Sequence, residues 1–69
     1  MAASEVTVQD ELLAIDKNED LTALMKIRAI TDMWFRRYDE GYYFDIADHR
    51  AMMDGIEGYT QCEQRGHYL

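Results

Sequence analysis

Apolar residues recur along the chain at helical rather than alternating spacing. From Leu21 onward, Leu24, Met25, Ile27, Ile30, Met33, Trp34, Phe35 and Tyr38 place an apolar residue at nearly every third or fourth position. This predicts a helix over residues 20–40, about 30 Å long at 1.5 Å per residue. Asn18 or Asp20 is its expected opening and Gly41 its expected stop. Thr31-Asp32 is an internal cap signal, so the pattern allows one helix or a break near residue 31. Upstream, Thr7 followed by Asp10 has the spacing of a capping box, with Asp in place of Glu or Gln. Leu12, Leu13 and Ile15 then give a short first helix an apolar face, ending near residue 17. Downstream, a third helix is expected from about Tyr42 to Asp54. Tyr43, Phe44, Ile46, Ala47 and Met53 would line its inward face, and Asp45, Asp48, His49 and Arg50 would mostly point outward. The glycines of Asp54-Gly55-Ile56-Glu57-Gly58 read as a turn, followed by one more helical turn over 59–65. Tyr42-Tyr43-Phe44 also suits a short strand, but it has no partner strand, and a lone strand is unstable.

The expected fold is therefore all-α: one small compact domain of three helices with a short C-terminal tail, spanning residues 1–69, with 1–6 and 66–69 as flexible ends. At 69 residues the chain makes one domain at most, with a small core. Its apolar stock is rich in Met and aromatic residues and holds only two valines, which suits adaptable surfaces as well as cores. A homo-oligomer, or a protein firmest in a complex, follows as an expectation. No apolar run is long enough to span a membrane, and the N-terminus lacks the pattern of a signal peptide. The single Cys62 excludes an internal disulfide, so a reducing, cytoplasmic setting is expected.

Charge sharpens this picture because it is laid out in blocks. Residues 1–25 carry a net −5, residues 26–37 a net +3 and residues 38–58 a net −5, within a total of −7. Such a surface repels a free phosphate backbone and attracts a basic protein. Lys26, Arg28, Arg36 and Arg37 are expected on the outer face of the second helix, paired with acids of the first and third. Arg36 and Arg37 beside Trp34 and Phe35 resemble an aromatic–basic patch, but four cations are too few for direct DNA binding.

Catalytic and metal chemistry find little footing. Asp45 and His49 share a helical face at i, i+4, and with Cys62 and His67 they offer zinc-type donors, but at no recognised zinc spacing. Cys62 sits beside Gln61 and the acidic Glu63 rather than the cation that activates a thiolate. No phosphate-binding glycine loop or nucleophile elbow occurs. No enzyme activity, cofactor or metal is expected. A small metal-binding or redox module using His49, Cys62 and His67 stands as a rival reading.

The segment from Thr7 to Arg50 resembles the Hha/YmoA family of small nucleoid-associated modulators. The resemblance rests on Thr7, Asp10, the pair Tyr43-Phe44 and the run Ala47-Asp48-His49-Arg50, with apolar matches at Leu12, Leu13, Ile15, Leu21, Leu24 and Ile27. It implies a helical domain that docks on the oligomerisation region of an H-NS-like protein, with Asp48 carried over as a contact residue. Two departures stand out. Ala14 and Asp16 lie in a first-helix region where the family is basic, and Gly55 and Gly58 interrupt the helix that the family continues. The resemblance therefore implies protein binding rather than a DNA-facing role.

These readings converge on a non-enzymatic acidic module that binds a DNA-binding transcriptional regulator, a repressor or nucleoid protein, and modulates it. An antirepressor or DNA mimic that competes with DNA is the alternative form. The expected partner-binding residues are Tyr38, Asp39, Glu40, Tyr42, Tyr43, Asp45 and Asp48. Trp and Tyr are common hot-spot anchors, and opposed charge steers association. Trp34 and Phe44 are expected in the core instead.

Overall fold

The computed structural model describes residues 6–65 and contains three helices: α1 (Val8–Lys17), α2 (Ala23–Asp39) and α3 (Ile46–Arg65). The all-α expectation holds, and no strand forms among the described residues, so Tyr42-Tyr43-Phe44 is not a strand. The expectations for residues 1–5 and 66–69, His67 included, lie outside the described residues.

α1 begins as its local chemistry dictates. Thr7 Oγ1 accepts from Asp10 N at 3.0 Å, and Asp10 Oδ2 accepts from Thr7 N at 3.4 Å, which completes the capping box. Asn18 closes the helix. Asn18 and Asp20 do not open α2, however. Asn18 Oδ1 accepts from Asp20 N at 3.0 Å and its carbonyl accepts from Leu21 N, so this stretch is a turn. Thr22 caps α2, accepting from Met25 N at 3.2 Å. The helix then runs unbroken through Thr31-Asp32, because Thr31 Oγ1 donates back to the Ile27 carbonyl at 3.0 Å instead of capping a new helix. Gly41 stops the chain with φ at +85°, a conformation that side-chain-bearing residues rarely adopt.

The third helix departs most from expectation. It starts at Ile46, not Tyr42, and passes through Gly55 and Gly58, which therefore form no turn. Its start is set by a second reciprocal cap. Asp45 Oδ1 accepts from Asp48 N at 2.8 Å, and Asp48 Oδ2 accepts from Asp45 N at 3.4 Å. Its inward face is Met52, Ile56 and Tyr59 rather than the expected set. Tyr43, Ile46, Ala47 and Met53 are exposed, and only Phe44 of that set packs inward. Leu13 of α1 is likewise half exposed.

Val8, Ile30, Met33 and Met52 form the buried core, with Leu12, Ile15, Trp34, Phe44, Ile56 and Tyr59 packed against it. α1 lies on one side of the α2–α3 pair and is fastened there by polar side chains. Glu11 receives Arg36 at 2.8 Å and Arg37 at 2.7 Å. Lys26 Nζ donates to the Asp16 carbonyl at 2.7 Å and sits 5.4 Å from the Tyr59 ring centre. The Tyr59 hydroxyl donates to Asp16 Oδ1. Burial first, and then this bond, raise the Tyr59 phenol above its ordinary range.

Candidate functional site

The turn from α2 into α3 gathers the residues expected to meet a partner. Gly41 redirects the chain, and Tyr42 N donates to the Arg37 carbonyl at 2.9 Å, folding the turn back onto the end of α2. This brings the Tyr42 ring within 4.7 Å of the Arg37 guanidinium and edge-on to Phe44, at 4.9 Å. The Tyr42 hydroxyl reaches Asp48 Oδ2 at 3.4 Å. Partial desolvation and the Asp48 carboxylate push the Tyr42 phenol above its ordinary value, and Arg37 opposes them.

The seven expected contact residues thus separate into two groups. Tyr42 and Asp48 shape the turn. Asp48 is only 9% exposed and is engaged with Asp45 N and Tyr42, so it is not the outward carboxylate that helical spacing implied. Asp45 stays exposed while its Oδ1 caps α3, where a negative charge also favours the helix N-terminus. Tyr38 (72% exposed), Asp39, Glu40 and Tyr43 (82% exposed) point to solvent around them. The arrangement is an acidic rim carrying two free aromatic rings, braced from behind by Arg37, Tyr42 and Asp48.

Arg37 is the residue of this candidate site that charge counting misjudged. It is nearly buried, donates from Nε to Glu11 and from Nη2 to the Val6 carbonyl, each at 2.7 Å, and stacks on Tyr42. It therefore links the N-terminal segment, α1 and the acidic turn, and does not decorate an outer face. The signal available in the sequence was its place beside Arg36, opposite the single Glu11 of a short helix.

The metal reading gains no geometry. His49 packs its ring 5.7 Å from both Trp34 and Phe44 rather than pairing with Asp45. Cys62 is exposed on α3, not in a tail, and thirteen residues of helix set it about 20 Å along the axis from His49. No group of three metal-type donors converges among the described residues. No helix among the described residues is long and apolar enough to cross a membrane. Comparison with protein-family models, characterised proteins and solved structures finds no match to the chain.

Proposed function

We propose that the protein is a non-enzymatic interaction module that binds a basic DNA-binding regulator, a repressor or H-NS-like protein, through its α2–α3 turn. The observation that carries this reading is the exposure of Tyr38 and Tyr43 among Asp39, Glu40 and Asp45 on a turn that is otherwise braced. Exposed aromatic rings on a rigid acidic rim give a cationic surface both apolar anchors and charge complementarity at little ordering cost. The likeness to the Hha/YmoA family points to the same class of partner. α3 continues past Ala47–Arg50, which removes one of the two departures from that family's pattern. In this reading Asp48 acts by holding the turn rather than by touching the partner.

Affinity capture from lysate, with identification of the retained proteins, tests the proposal. A DNA-binding regulator should be retained by the native chain, released by added salt, and lost on Tyr43→Ala or Glu40→Gln. Recovery of no DNA-binding protein, or retention indifferent to both substitutions, sinks the proposal. A gel shift with the identified regulator then separates its two forms. A ternary complex identifies a co-modulator, and displacement of DNA identifies an antirepressor.

A further inference from the structure

Among the described residues, nothing covers the side of the α2–α3 pair opposite α1. Thr31, Trp34, Phe35 and Ile56 line a shallow groove of about 390 Å³ there, almost wholly apolar. Phe35 is 68% exposed and Ile46 79% exposed, and Met53 is more than half exposed. These side chains continue two regular seams. On α2, Leu24, Thr31, Phe35 and Tyr38 share one stripe with Arg28, spaced by fours and threes. On α3, Ile46, His49, Met53 and Ile56 are spaced by threes and fours, the repeat of a helix that packs against another helix.

We infer that a second copy of this chain covers this face, pairing α2 with α2 and α3 with α3 in antiparallel fashion about a two-fold axis. Charge placement selects this occupant. Arg28 and Asp39 flank the α2 seam one turn beyond Thr31 and Phe35, and Arg50 and Glu57 flank the α3 seam on either side of Met53. None of the four forms an ion pair among the described residues. An antiparallel two-fold centred between Met33 and Trp34 sets Arg28 of each copy opposite Asp39 of the other. One centred between Met53 and Asp54 sets Arg50 opposite Glu57. These two centres lie at the same level of the hairpin, because Trp34 touches His49 and shares its groove with Ile56, and those two α3 residues bracket Met53. One axis therefore satisfies both charge pairs, as an isologous interface requires.

Size agrees with this assignment. Two helices about 25 Å long and about 10 Å apart present a face of roughly 25 by 20 Å. With side-chain relief this approaches the ~800 Å² per partner of a stable interface. The four paired charges sum to zero and Asp32, which also flanks the α2 seam, adds one negative charge, so most of the net −7 of each copy lies elsewhere on its surface. The inference rests on a different face from the regulator-binding proposal but shares Tyr38 and Asp39 with it. It takes Tyr38 and Asp39 into the dimer and leaves Glu40, Tyr43 and Asp45 exposed.

Sedimentation velocity of the full chain across the micromolar range tests the inference. A reversible monomer–dimer equilibrium is expected. Phe35→Glu should leave a monomer with unchanged helical circular dichroism. Arg28→Asp and Asp39→Arg should each weaken the dimer by about tenfold or more, and the double variant R28D/D39R should restore it. A native chain that stays monomeric, a dimer indifferent to F35E, or a double variant no better than its parents overturns the inference. The charge variants occupy exposed positions, so they carry the test even if F35E disturbs folding.

Discussion

Among the described residues α1 covers one side of the α2–α3 pair and leaves the other bare, and the two sides differ in how they are held rather than in how apolar they are. The covered side buries middle-sized aliphatic residues, Val8, Ile30, Met33 and Met52, and locks them with long polar side chains: Arg36 and Arg37 on Glu11, Lys26 and Tyr59 on Asp16. The bare side carries side chains at least as apolar, Phe35, Ile46 and Met53, and has no polar lock among the described residues. Burial here follows position relative to α1 rather than hydrophobicity. The locks have a physical reason. A ten-residue helix is marginal in water by itself, so α1 depends on its tertiary contacts to exist and on directional bonds to dock in one register. The bare side needs no such device if its partner is a complete folded unit.

Truncating one apolar residue on each side separates them most sharply. Met52→Ala removes a fully buried side chain and should cost about 2–5 kcal/mol. That is a large share of the stability of any domain, and severe for one this small. Denaturant unfolding should show the loss at every protein concentration. Phe35→Ser should change the stability of dilute protein little. It should also abolish the rise of Tm with concentration that a dimer confers. If Phe35→Ser cost as much as Met52→Ala in dilute protein, the bare side would belong to the monomer's own core.

The polar locks rank next. Arg37→Ala breaks charged hydrogen bonds to Glu11 and Val6 and the contact with the Tyr42 ring. A loss of about 1.5–3 kcal/mol is expected, because Glu11 keeps a partly buried charge with one partner fewer. Arg37→Lys should recover only part of it, since an ammonium cannot reproduce the planar fork. Arg36 is half exposed, so Arg36→Ala should cost under about 1 kcal/mol. Equal losses from the two arginines in chemical denaturation would show that Glu11, and not the junction at Arg37, holds α1 in place.

The parts of this architecture that are written locally were legible in the sequence. Thr7 and Asp10 cap α1 because both partners lie within one turn, and Gly41 stops α2 because its backbone conformation is its own. The start of α3 was equally local. Asp45 and Asp48 repeat the spacing of Thr7 and Asp10, yet the aromatic run before them suggested a helix already under way. What could not be read locally was burial. Asp48 is buried because Tyr42 folds over it, and Tyr42 folds over it because Arg37 is anchored by Glu11, some 26 residues upstream. The exposed half of the candidate site, Tyr38, Asp39, Glu40 and Tyr43, follows from composition. Its braced half follows from tertiary contact.

The glycines of α3 give the finest comparison, because one faces the covered side and the other faces solvent. Each weakens a helix interior by about 1 kcal/mol relative to alanine, which is why the pair reads as a turn. At Gly58 a Cβ would meet nothing within 4 Å, so Gly58→Ala should raise stability by about 0.5–1 kcal/mol. At Gly55 a Cβ would lie 3.2 Å from Ile30 Cδ1, and Ile30 is fully buried with little room to turn. Gly55→Ala should therefore gain nothing or lose stability, since crowding at the α2–α3 contact offsets the helical gain. Thermal unfolding of the two variants side by side reads the difference directly. If both gained equally, α2 and α3 could separate at no cost, and Gly55 would not be the residue that sets their close approach.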